Sequence, residues 1–169
     1  MKKNRFGGRW ATFFLAAGLF STILISCKED KGDLVGQRTV TDIIHENPEF
    51  SILKEILDNG GSPDAFRTQD ATFFLPDNAA FQKANIASSA AISKNAALPF
   101  LNSLIIQGIY NVDNDLPADS LKTAAVGKKI KFVKQDKVVT VNNSEITKRN
   151  VVAANGLIQV IDSVYVRVK

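Results

Sequence analysis

Residues 70–81 read DATFFLPDNAAF. Ala71-Thr72-Phe73-Phe74-Leu75 is a short apolar run ending at Pro76, the pattern of a buried strand. Asp77 follows and is placed to cap a helix from Asn78 through Lys83, its carboxylate accepting amide hydrogens of the first turn. Phe73, Phe74 and Phe81 are expected in the core.

The same reading extends upstream. Residues 39–46, TVTDIIHE, form a short helix with Val40, Ile43 and Ile44 on one side. Asn47-Pro48 restarts the chain, with Asn as cap and Pro at the first helical position. Phe50, Leu53, Ile56 and Leu57 then recur at helical spacing until Gly60-Gly61 stops the helix. Downstream, residues 85–97 have weak periodicity. Residues 98–109 are expected to be helical, with Leu101, Leu104 and Ile105 on one face and Asn95 as cap.

From Tyr110 the period changes to two. Alternating or apolar runs occur at 129–133, 139–141, 145–147, 151–153, 157–161 and 164–168. Their separators, Gln135-Asp136, Asn142-Asn143 and Asn155-Gly156, are turn formers. Helices first and short strands second argue an α+β fold with a largely antiparallel sheet.

The beginning of the chain reads differently. Residues 1–9 are basic and residues 10–26 apolar or small, the order of a secretory signal, with an apolar stretch short for a membrane span. Leu24-Ile25-Ser26-Cys27 resembles the bacterial lipobox, and Cys27 is the only cysteine. That resemblance places cleavage between Ser26 and Cys27 and makes the Cys27 thiol the acceptor of a diacylglycerol, with acyl chains such as palmitate holding the protein to a membrane. A lone Cys excludes an intramolecular disulfide. Residues 28–33, KEDKGD, are too charged to pack and serve as a tether. Lys28-Glu29-Asp30 also resembles the export tag of Bacteroidetes surface lipoproteins. The expected organisation is a signal peptide at 1–26, a lipidated Cys and tether at 27–37, and a folded domain at 38–169.

Charge follows this division. Of 21 Lys and Arg, Lys2, Lys3, Arg5 and Arg9 precede Cys27, which leaves the rest of the chain formally neutral against 17 Asp and Glu. The remaining positives look scattered, and Lys128-Lys129-Ile130-Lys131 reads as a solvated strand face, so no basic patch for nucleic acid is expected.

Catalytic groups are sparse. His45 is the only histidine and reads as a helix-surface or a satisfied, half-buried residue. With Cys27 taken by lipid, a cysteine nucleophile and a His/Cys zinc site are excluded, and a serine triad would have to be built on His45. Asp113, Asp115 and Asp119 lie in the loop VDNDLPADS, which lacks the Gly and distal Glu of an EF-hand and reads as a polar turn. No Gly-rich loop for phosphates is present, since Gly60-Gly61 is not followed by Lys-Ser/Thr. No catalytic residue, metal site or cofactor is expected.

From about Thr39 to Val168 the chain resembles a fasciclin-like (fasciclin I-type) domain. The opening TVTDIIHENPEFSILKEILDNGG is similar to that family's first helices. Residues 70–81 look like its first signature stretch, with Thr72, Pro76, Asp77, Asn78 and Phe81 as mainly structural positions. Residues 155–164, NGLIQVIDSV, look like the second, with Asn155, Gly156 and Asp162. Val141-Asn142-Asn143 stands where the family usually has Val-Asn-Gly, and Asn tolerates the left-handed turn. Gln107-Gly108 stands in place of the family's Tyr-His pair, which removes support for an adhesive role assigned to that pair.

The resemblance implies a wedge of two mainly antiparallel β-sheets with helices packed alongside. With the leader, it implies a lipid-anchored, non-enzymatic module at the outer membrane that engages an extracellular protein or glycan. The domain would face the surface, or alternatively the periplasm. The other reading is a structural or accessory subunit of an outer-membrane surface complex. The ligand-binding residues are not identified by the sequence.

Overall fold

The computed structural model describes residues 38–68, 70–115 and 120–165. Ser26 and Cys27, the tether, Asp119 and residues 166–168 of the strand expected at 164–168 lie outside the described residues, while Val164 and Tyr165 are not in a strand. Leu34–Lys169 form one compact unit. Among the described residues it carries two hydrophobic cores of its own, as a domain that can fold alone does.

The helices open the unit. Helix α1, Val40–Glu46, begins at Thr39, whose hydroxyl and the Asp42 carboxylate form a reciprocal capping box. The Thr39 hydroxyl and amide hold the Asp42 carboxyl below its usual range. A 3₁₀ turn at Pro48–Phe50, capped by Asn47, leads into α2, Ser51–Gly60, which buries Ile52, Leu53, Ile56 and Leu57. Gly60 is the last helical residue, and Gly61 at φ 80° turns the chain away. A Cβ on Gly60 would lie 2.1 Å from that of Ala97, so this glycine also admits a neighbouring helix.

After α3, Ala65–Thr68, strand β1 runs Ala71–Pro76 and is buried on both faces. Helix α4, Asn78–Lys83, starts at Asp77, whose Oδ1 accepts the Ala80 amide at 2.7 Å. Helix α5 spans Lys94–Ser103 and is followed at once by strand β2, Ile105–Gln107. This corrects the helix expected over 98–109: Ile105 is a strand residue, and Asn95 lies inside the helix, whose cap position is Ser93. Pairing with β1, through Thr72↔Ile106 and Phe73↔Ile105, outweighs the helical spacing of Leu101, Leu104 and Ile105.

The remaining strands are β3 (Leu121–Lys122), β4 (Lys129–Ile130), β5 (Phe132–Gln135), β6 (Val138–Val141), β7 (Ser144–Ala153) and β8 (Gly156–Ile161). The main sheet has the order β2-β1-β8-β7-β6-β5, and β3 with β4 forms a small second sheet. All pairings are antiparallel except β1 with β8. The run 129–133 is thus two strands in different sheets, while 145–147 and 151–153 are one strand with register shifts between Ile146 and Val151. Asn150, at φ 53°, sits in that irregular stretch. The β6–β7 hairpin turns on Asn142 and Asn143 at φ 48° and 69°, the left-handed pair that a tight hairpin needs. Asn155-Gly156 is different. The loop is Ala154-Asn155, neither residue has a positive φ, and Gly156 already belongs to β8.

Alternation along β1 and β8 divides the core. Phe73, Leu75, Ile158 and Val160 face the helices, where they meet Leu53, Phe66, Phe81 and Phe100. Phe74 and Ile161 face the other way, onto Phe132, Val139, Val141 and Ile146. Tilted ring pairs bind each side: Phe66–Phe73 at 5.2 Å and Phe81–Phe100 at 6.1 Å in the first, Phe74–Phe132 at 5.6 Å in the second.

Candidate functional site

The two stretches singled out in the sequence come together. β1 and β8 pair in parallel from Ala71↔Gly156 to Pro76↔Ile161. A Cβ on Gly156 would lie 1.9 Å from the Ala71 carbonyl oxygen, so only glycine lets the strands approach there. The Asn155 Oδ1 accepts the Val40 amide at 2.9 Å and fixes the start of α1. Asn78 donates to the Pro48 carbonyl and the Ser51 hydroxyl and accepts from the Ile52 amide, joining α4 to the start of α2. The Thr72 hydroxyl donates to the Gly108 carbonyl at 2.8 Å and accepts the Tyr110 amide at 2.9 Å. Gln107 is exposed, and Gly108, at φ 92°, makes the corner that Thr72 clamps.

Asp162 accepts the Glu145 amide at 2.8 Å and the Ser163 hydroxyl, and pairs with Lys83 at 2.8 Å. Burial pushes its carboxyl up, but the Lys83 ammonium and these donors outweigh it, and its pKa lies below the usual value. The same bond holds the Lys83 ammonium above its usual range. These side chains support the fold and do not converge on a cleft.

His45 lies on the surface with its Nε2 3.4 Å from the Asp58 carboxylate. Asp113 accepts from Arg149 at 2.9 Å and from the Asn150 amide group at 2.8 Å. Its own amide donates to Asn111, while the Asn111 amide donates to Asp115. Asn150 in turn exchanges hydrogen bonds with the fully buried Gln159. The acidic loop is thus tied to β7 by hydrogen bonds. Among the described residues no group of three or more His, Cys, Asp or Glu could hold a metal.

A further cavity lies elsewhere, an open groove of about 780 Å³. One wall is α5, presenting Ala96, Pro99 and Phe100; the other is the segment 123–126. Lys128, Lys129 and Asn142 stand at one side. Tyr165 is also part of the lining, and its hydroxyl donates to the Ser103 carbonyl at 3.2 Å. Val126 is fully exposed at the lip. The lining contains two lysines and no acid. Sequence reasoning missed this groove because its walls lie on either side of β2. The local signal was the small apolar run Thr123-Ala124-Ala125-Val126-Gly127 before a lysine pair.

The lysines are also less scattered than the sequence suggests. Lys122 and Lys129 are direct cross-strand partners in the small sheet, with Lys128 and Lys131 on either side of Lys129-Ile130.

The fasciclin domain model matches residues 48–167. A solved FAS1 domain pair from the insect cell adhesion molecule fasciclin I is similar in fold, with a TM-score of 0.61 and 16% identity. The match covers 77% of this chain and 51% of that one, so this chain spans about half the length of that structure. No curated protein matches the chain in sequence.

Proposed function

Because the chain belongs to the fasciclin domain family, we propose that it is a non-enzymatic binding module, held at the cell envelope by lipid on Cys27 and engaging an extracellular protein or glycan. The observation that carries the reading is the use of its polar groups. Asp77 caps a helix, Asp162 joins β8 to α4 and β7, Asp113 holds a loop, and His45 pairs with a surface carboxylate. Hydrolysis needs an acid and a base converging on a substrate; Asp77, Asp113 and Asp162 face separate structural tasks, while His45 lines an open cavity with Asp42, Asp58 and Ser62. The fold likeness to a cell adhesion molecule points the same way.

The anchor reading rests on the residues 24–27, LISC, after a basic start and an apolar stretch. The outer-membrane surface is the proposed address, with Lys28-Glu29-Asp30 as the export signal. A protein and glycan array probed with the unit Leu34–Lys169 tests the binding role. Saturable capture of a surface protein or glycan supports it, and no binding to bacterial, neighbour or matrix components sinks it. Labelling cells with a clickable fatty acid tests the anchor: wild type should take label and Cys27→Ser should not. Equal label on both removes the lipid from the proposal.

A further inference from the structure

We propose that the groove between α5 and the segment 123–129 binds a small amphiphile with one apolar chain and an anionic head, a fatty-acid carboxylate being the simplest case. The inference stands apart from the anchor and from any surface partner.

Size and lining come first. The groove's volume of about 780 Å³ falls within the range of roughly 300–1,000 Å³ common for small-molecule sites. Pro99, Phe100, Ala124 and Val126 supply an apolar wall, with the uncharged polar Asn102, Thr123 and Asn142 beside it.

Charge supplies the second argument. From Ser120 to Gln135 the chain carries Lys122, Lys128, Lys129, Lys131 and Lys134 and no acid. Among the described residues, none of Lys122, Lys128, Lys129 and Lys131 has an ion-pair partner. Lys122 and Lys129 stand directly opposite each other in a two-stranded sheet of two residues per strand. Like charges so placed repel and weaken the pairing. An anion seated beside Lys128 and Lys129 relieves that repulsion by offsetting the charge of Lys129, the member of the pair that lines the groove.

Backbone bonding decides between an amphiphile and a peptide. The amides of Thr123, Ala124 and Ala125 donate to the carbonyls of Lys128, Ile105 and Asn102 at 2.9–3.1 Å. The wall therefore offers those donors to no extended chain. A peptide lying there would leave part of its polar backbone against the apolar side chains, at a cost that an alkyl chain does not carry.

The test is titration calorimetry of the unit Leu34–Lys169 with laurate, kept below its micelle-forming concentration. Laurate should bind saturably at one site. Its uncharged methyl ester should bind about tenfold more weakly or worse, and acetate should not bind. Lys128→Glu with Lys129→Glu should weaken laurate by about tenfold or more. Ala124→Trp, which places an indole in the groove from an exposed position, should also remove binding while leaving the charge intact. Circular dichroism checks that both variants fold; the lysine pair is exposed, so that variant keeps the proposal testable if Ala124→Trp does not fold. Laurate affinity unchanged in the lysine variant overturns the proposal. So does equal affinity for the methyl ester, an acidic peptide that binds as tightly as laurate, or binding to anionic vesicles without binding to monomeric laurate.

Discussion

Gly156 lies where β8 first meets β1, and the space for its absent side chain is filled by the Ala71 carbonyl and the Phe73 ring. Its φ of 154° adds a conformation that L residues avoid. Neither constraint can relax without separating the two strands that carry both signature stretches. Gly156→Ala should therefore cost about 3 kcal/mol, read as a shift in the urea midpoint. Phe81 is fully buried against Phe100, and Phe81→Ala should cost about 3–5 kcal/mol. A loss under about 1 kcal/mol would mean that the ring is not in the core. Asp162 gives a pH signature. Its folded pKa is lowered, so its contribution is present above the unfolded value of about 3.9 and is lost as pH falls through the folded one. Wild type should be more stable than Asp162→Asn at pH 7, and the gap should shrink steadily below about pH 4. A gap independent of pH would show that the carboxylate's charge plays no part.

At the scale of elements, the clamp on the 108–110 corner is the most exposed to a single change. The Thr72 side chain is buried and holds both the Gly108 carbonyl and the Tyr110 amide. Thr72→Val keeps the shape and removes both bonds, which should cost about 1–3 kcal/mol and speed hydrogen exchange at Tyr110. Exchange at Tyr110 unchanged from wild type would count against the clamp. The neighbouring elements show what a sequence can and cannot convey. Helix α4 was legible at both ends because its cap, length and buried Phe all lie within six residues of Asp77. β2 was not legible, because Leu101, Leu104 and Ile105 fit a helix equally well until β1 supplies a partner. β7 read as two strands because Lys148-Arg149-Asn150 is polar. The partner that keeps Asn150 in the sheet, Gln159, is reached only across the β7–β8 hairpin. The groove has the same cause: the Lys122↔Lys129 pairing is a register, and composition does not encode it.

At the scale of the whole folded unit, one sheet separates two cores, and Tyr165 packs against both. Its ring adjoins the helical core and the Phe74–Phe132 side, and its hydroxyl donates to the Ser103 carbonyl at the end of α5. Removing that one bond in Tyr165→Phe should cost about 1 kcal/mol at neutral pH. Alkali should reverse the order. Burial pushes the Tyr165 phenol well above its ordinary range, so the folded protein keeps it protonated while the unfolded chain ionises it near pH 10. The unfolded state then binds fewer protons than the folded one, and stability falls as pH rises past that value. Phenylalanine has no proton to lose. The disadvantage of Tyr165→Phe should accordingly shrink above about pH 10 and then change sign, measured as paired urea midpoints from pH 7 to 11. Wild type and variant losing stability in parallel across that span would show that the phenol is not kept from water, and that Tyr165 does not close the seam between the cores.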